Sequence, residues 1–163
     1  MWLIIAVQMK TNLIIIASVI CCCWIGSATA QTTNKNYDEK LARELKADDY
    51  GMKKYILVIL KSGSVTDLPK AKLDSVFTGH MANINKLATE GKLIVAGPMG
   101  KNDRSYRGIF ILDVETVEEA QKLTTTDPAI ISQVLAAEYF PWYGSAALKE
   151  TLKIHSKIEK KSH

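Results

Sequence analysis

The sequence predicts an α+β domain with elements in the order β-α-β-β-α-β, preceded by an export segment and followed by a lysine-rich helix. Three observations predict it. The runs "KYILVILK", "KLIVAGP", "YRGIFILDV" and "AAEYFPW" are apolar or β-branched, have strand length, and are bounded by glycine, proline and polar turns. Between the first and second, apolar residues recur at three- and four-residue steps, the spacing of one helix face. Between the third and fourth, a Thr-x-x-Glu box and an Asp-Pro pair mark helix starts.

A chain of 163 residues holds one ordinary domain with short appendages. The first appendage, residues 1–30, reads as a cleavable secretory signal. In "MKTNLIIIASVICCCWIGSATAQ", from Met9, a lysine precedes an apolar run that ends in the small-x-small Ala28-Thr29-Ala30 before Gln31. Met9 is therefore read as the true start, which N-terminal sequencing of the precursor would check. Cleavage after Ala30 would send the mature protein to the periplasm or beyond. About a dozen strongly apolar residues fall short of the ~20 that cross a bilayer, so no stable membrane insertion is expected after cleavage. An uncleaved anchor and lipid attachment at Cys21, Cys22 or Cys23 are the alternatives, although Ile20 fits poorly before a lipidated cysteine. All three cysteines lie in this segment, leaving the mature chain without disulfides, thiol nucleophile or cysteine ligands.

Residues 31–52 form an N-terminal arm, in which Leu41, Ala42 and Leu45 could make one apolar edge of a short helix, either packed on the domain or free as a linker. The domain proper spans 53–148. After the first strand, Asp67 is a candidate helix cap and Pro69 suits a first helical turn. The long helix then carries Leu73, Val76, Phe77, His80, Met81, Ile84, Leu87 and Ala88 on one stripe, and Gly91 is placed to end it in a left-handed conformation. Strands two and three flank the turn-rich "MGKNDRS". Thr116 and Glu119 open the helix "VEEAQKL", and Asp127-Pro128 opens a shorter one, "PAIISQVL". Pro141 places the end of strand four, or an edge position, near "FPW". A final helix runs from Ser145 into the basic tail, residues 149–163.

This order is the ferredoxin-like βαββαβ pattern, whose helices cover one face of the sheet. "YILVIL", "LIVA" and "IFIL" are apolar on both alternating faces, so a lone domain would leave an extended apolar surface in water. A second copy packed sheet to sheet removes it, and a homodimer is expected.

The formal charge of +4 is modest, and the tail supplies five lysines against two glutamates. That is a solvated basic end, not the arginine-rich, aromatic-studded face of a nucleic-acid binder. Of three histidines, His155 and His163 lie in the tail, and no ligand cluster at metal spacing is present. Neither a metal nor another cofactor is expected.

His80 sits in the buried stripe of the first helix, and Asp127 opens the last helical turn before strand four. In this fold both segments lie on the same sheet face, so the two side chains could meet. An imidazole fixed by a carboxylate can move protons near neutral pH. The stripe alone is equally consistent with an interior histidine bonded to a neighbour, and Asp127 with a simple helix cap. Gly97-Pro98 ends strand two beside the expected pocket, where it serves as close-approach wall or plain turn. On strand four, Glu138 and Trp142 alternate with Tyr139; Trp142 is a candidate for the pocket or for packing, and alternation alone does not say which face lines a cavity.

Taken together, "GHMANINKLATEGKLIVAGP", "RGIFILDVETVEEAQKL", "TDPAI" and "EYFPWYG" resemble the YCII-related family over about residues 53–148. The resemblance implies a ferredoxin-like fold assembled as a dimeric α+β barrel, with the histidine of the "GH" motif, His80, and the aspartate of the "DP" motif, Asp127, as a dyad facing a pocket. A dehydrochlorinase within that family, acting on a chlorinated hydroxyquinol, implies lyase- or isomerase-type proton transfer on small cyclic molecules. This chain departs from the family at Phe77, where many members carry arginine; Arg104 or Arg107 could supply a cation instead. The expectation is thus a secreted, cofactor-independent enzyme using His80 and Asp127. The alternatives are a non-catalytic dimeric protein that binds a small ligand in the periplasm, and an envelope-associated structural dimer.

Overall fold

The computed structural model describes residues 34–161, so the expected signal segment with its cleavage site, the three cysteines and His163 lie outside the described residues. Asp38 onward forms one compact unit. Its first element, α1 (Glu39–Leu45), is capped by Asp38, whose side chain accepts from the backbone of Leu41, and closed by Lys46 in the left-handed region. Leu45 is buried while Leu41 is exposed, and the helix packs on the 3-10 turn that follows the last strand. The N-terminal arm is therefore part of the folded unit from Asp38 on.

Four strands build the sheet: β1 (Met52–Ser62), β2 (Leu93–Pro98), β3 (Tyr106–Leu112) and β4 (Leu135–Ser145). Their order is β2-β3-β1-β4, with every neighbouring pair antiparallel. This is the ferredoxin-like arrangement. The Pro141 expectation resolves as an edge position, because β4 runs through Pro141 to Ser145 and, among the described residues, has only β1 beside it.

Helix α2 (Lys70–Thr89) crosses the sheet over 20 residues, a length of about 30 Å. Pro69 occupies its N-cap and no side chain caps it, so Asp67, two residues further out, does not play the role expected of it. The other end behaves as expected: Gly91 has φ +67, its N–H donates to Ala88 and that of Lys92 to Leu87, both at 2.9 Å. Helix α3 (Val117–Thr124) opens on the Thr116–Glu119 capping box. Helix α4 (Pro128–Ile131) is only four residues long, shorter than "PAIISQVL" suggested.

On the helix side of the sheet, Ile56, Val58, Leu60, Leu93, Phe110, Leu112 and Leu135 meet Val76 and Leu87 of α2 and Ala120 of α3. Burying each larger aliphatic side chain there stabilises the fold by about 1.5–3 kcal/mol. The opposite face is not bare. After β4 the chain makes a 3-10 turn (Ala146–Glu150) and helix α5 (Thr151–Ile158), which lay Leu148 and Leu152 on a second cluster of Tyr55, Ile94, Ile111, Leu57, Val95 and Trp142. The start of the basic tail thus packs on the sheet instead of being wholly solvated. Its coverage ends short of Phe140, which is 44% exposed.

Candidate active site

Residues 126–128, which lead from α3 into the first residue of α4, are each met by one residue of α2, in reverse order. Gly79 lies against the ring of Pro128: a Cβ at Gly79 would fall 2.8 Å from Cγ of the proline. His80 Nδ1 is 2.7 Å from Oδ2 of Asp127. One helical turn on, Oδ1 of Asn83 accepts from the Thr126 hydroxyl at 2.8 Å. These residues lie on the faces that α2 and the junction turn to each other because Val76, His80, Asn83 and Leu87 follow one buried stripe.

Asp127 is buried, and its two oxygens have separate tasks. Oδ1 accepts from the backbone N–H of Ala129 at 2.9 Å, capping α4, and Oδ2 takes the imidazole. Capping and pairing therefore coexist in one carboxylate. The Asp127 backbone N–H donates to Thr124, which fixes the residue from the α3 side. An ionised carboxylate only accepts, so pairing with one requires the shared proton on Nδ1, and in the neutral tautomer of that kind the lone pair is on Nε2. Among the described residues Nε2 has no hydrogen-bond partner, and the His80 side chain keeps 10% of its surface in contact with solvent.

Two phenylalanines frame the imidazole. Phe110 of β3 stacks on it with centroids 6.0 Å apart and planes 23° from parallel; Phe77 meets it edge-on at 6.0 Å and 89°. Phe77 thus presents an apolar edge at the position where the resembled family often has arginine. Arg104 and Arg107 are both exposed, and Arg107 alternates with Ile109 onto the far side of the sheet, so it does not replace that cation.

The other residues expected at a pocket do not gather at the dyad. Trp142 pairs with Tyr55 across β1 and β4 and lies on the opposite face, 5.8 Å from that ring and over Gly144. Glu138 shares that face, where it pairs with Lys61 at 2.8 Å, whereas Tyr139 points to the helix side and bonds Thr124 at 2.5 Å. Gly97 is opposite Ile109, on Trp142's side; Pro98, opposite Gly108, is on the side of His80 but makes no hydrogen bond or ring contact with it among the described residues. Two surface concavities lie away from the dyad. One, of about 560 Å³, is lined by Lys46, Lys53, Lys92, Asp113 and Lys149 among others. The second, of about 400 Å³, lies between Ser62–Ser64 and Gln133–Ala136. Neither includes His80 or Asp127.

Asn83, Thr126 and Gly79 were not singled out by the sequence. Glycine directly before histidine inside a helix was the available signal for Gly79, since glycine costs helical stability unless something must come close.

Comparison with the curated proteins gives no match. Among solved structures, 5-chloro-2-hydroxyhydroquinone dehydrochlorinase from Burkholderia phenoliruptrix AC1100, in complex with 2,5-dihydroxybenzoquinone, is 21% identical, covering 53% of this chain and 92% of that one at a TM-score of 0.39. The YCII-related domain family matches residues 52–142, a span that holds β1, both helices of the junction and the paired His80 and Asp127. With more than half of its length accounted for in this way, the chain belongs to the YCII-related family.

Proposed function

We propose that the chain is an exported, cofactor-independent enzyme acting on small cyclic molecules, with His80 as general acid/base and Asp127 orienting it. In the proposed step Nε2 takes a proton from a carbon next to a carbonyl, and the C–H electron pair moves into the enolate. The proton then returns to another atom, an isomerisation, or the enolate expels a leaving group, an elimination. Asp127 holds the productive tautomer and stabilises the imidazolium while the proton is aboard. One observation carries the reading: a buried histidine and a buried aspartate bonded at 2.7 Å, with the second ring nitrogen unpaired among the described residues. The half-buried Phe77, edge-on to the imidazole, supplies an apolar surface that suits a flat ring.

The test follows deuterium uptake from D2O into cyclic diketones and hydroxyquinones by NMR. His80→Gln should lower the exchange rate by about 10²–10⁴-fold, the usual size of an acid/base contribution. Asp127→Asn keeps an N-cap residue of equal quality, so it should leave the fold intact while lowering the rate as well. Unchanged exchange in both variants would rule out the dyad as the source of activity. A non-catalytic dimeric ligand-binding protein is the second reading, favoured by the dyad lying outside both surface concavities; ring compounds that bind the protein without any exchange would establish it.

A further inference from the structure

We infer that Asn83 is a positioning residue, holding the 126–128 junction through Thr126 so that Asp127 stays in register with His80. Of the three contacts between α2 and the junction, that of Gly79 with Pro128 is steric and that of His80 with Asp127 is the pair to be positioned. Among the described residues, only Asn83 adds a second directional bond, from its Oδ1 to the Thr126 hydroxyl. A hydrogen bond one turn from the dyad and one residue from Asp127 fixes the rotation of the junction about the Asp127–Ala129 cap, which a steric contact alone does not.

The amide is badly served as a structural group. Asn83 is 8% exposed, and its Nδ2 is buried with no partner among the described residues. The Thr126 hydroxyl has a single proton, yet it lies 2.8 Å from Asn83 Oδ1 and 2.7 Å from the Leu123 carbonyl oxygen. Turning the amide over would let Nδ2 donate to the hydroxyl and free the proton for Leu123, but would orphan Oδ1 instead. In either arrangement one polar atom of Asn83 is left without a bond, and a buried unpaired polar group opposes folding. A leucine at this point of the stripe would avoid that penalty. An under-bonded polar side chain beside a polar pair is expected where position matters more than packing.

This inference concerns the geometry of the pair, and it rests on the proposed function only where turnover is measured. The test is proton NMR of the full-length chain, following the His80 Nδ1–H resonance and its exchange with water. In the unaltered protein that proton should be shifted downfield and protected. Asn83→Leu and Thr126→Val should each speed its exchange about tenfold or more, because the junction opens locally. Thr126→Ser, which keeps the hydroxyl, should restore protection. Asn83→Leu should melt at the same temperature or higher, an outcome opposite to that of a merely structural residue. A protected proton in both variants, equal behaviour of Thr126→Ser and Thr126→Val, or no protected proton in the parent chain would overturn the inference. Should His80→Gln keep full turnover while these exchange effects appear, the enzymatic reading fails and the positioning role stands.

Discussion

At Gly79 a hydrogen atom stands where any other residue would place a carbon, and that carbon would sit 2.8 Å from the Pro128 ring. Two opposing effects meet there. Alanine would favour the helix by about 1 kcal/mol. The forced contact would cost about 1–3 kcal/mol, because neither the proline ring nor the helix backbone yields easily. Gly79→Ala should therefore change overall stability by no more than about 2 kcal/mol, while driving α2 away from the junction and stretching the 2.7 Å bond between His80 and Asp127. Urea unfolding gives the first quantity and the His80 Nδ1–H resonance the second. A variant with an undisturbed resonance would show that the dyad does not depend on this close approach. Because Gly79 has no side chain to hold the partner segment off, His80, its neighbour on the interior stripe, can reach Asp127.

At the scale of elements, the latch between the sheet and the C-terminal turn should respond to pH at both extremes. Tyr55 is fully buried, and its hydroxyl donates to the Ser145 carbonyl oxygen at 3.0 Å. Burial, together with the charge of Asp113, pushes its pKa up to about 12. Because the folded value lies above the ordinary one of about 10, the stabilisation is complete below pH ~10 and disappears as pH rises through ~12. Burial acting alone would raise Asp113, but hydrogen bonds and charges from Lys53 and Lys149 outweigh it and hold the carboxyl below its ordinary range. Its contribution is present above the ordinary carboxylate pKa and fades as pH falls beneath it. Release of the 3-10 turn and α5, seen as faster proteolysis of the C-terminus, should appear in these two windows and be absent near neutrality. Proteolysis independent of pH would argue against the latch.

The strands and α2 were legible because their apolar runs and three-four spacing are local properties, as was the end at Gly91. The length of α4 was not. Ile130, Ile131, Val134 and Leu135 fit a helix, but the N–H groups of Gly63 and Val65 take the carbonyls of Val134 and Gln133, pulling the chain out of it. Those partners are distant in sequence. Asn83 was missed for the same reason, since its meaning depends on Thr126. Strand alternation separated Trp142 from Tyr139 correctly, but only the pairing with Tyr55 fixes which of them faces the helices.

For the whole molecule, the unfinished surface is the face opposite the dyad. The segment Ala146–Ile158 covers the end near Tyr55 and Ile94, while Phe140 stays 44% exposed, with Leu57, Ile59 and Ile109 only half-buried beside it. We propose that a second copy of the chain covers this remainder, sheet against sheet. Sedimentation equilibrium should then give a dimer at micromolar concentration, and Phe140→Glu should shift it to monomer without unfolding it; a monomeric parent chain would dismiss the idea. Trp142 lies in the same face, against Tyr55 and over Gly144. The chain has three tryptophans, and the other two, Trp2 and Trp24, fall within the segment read as the export signal. A processed chain beginning at Gln31 would contain one indole, and its emission colour would act as an intrinsic optical gauge of how dry that face becomes when a neighbour arrives.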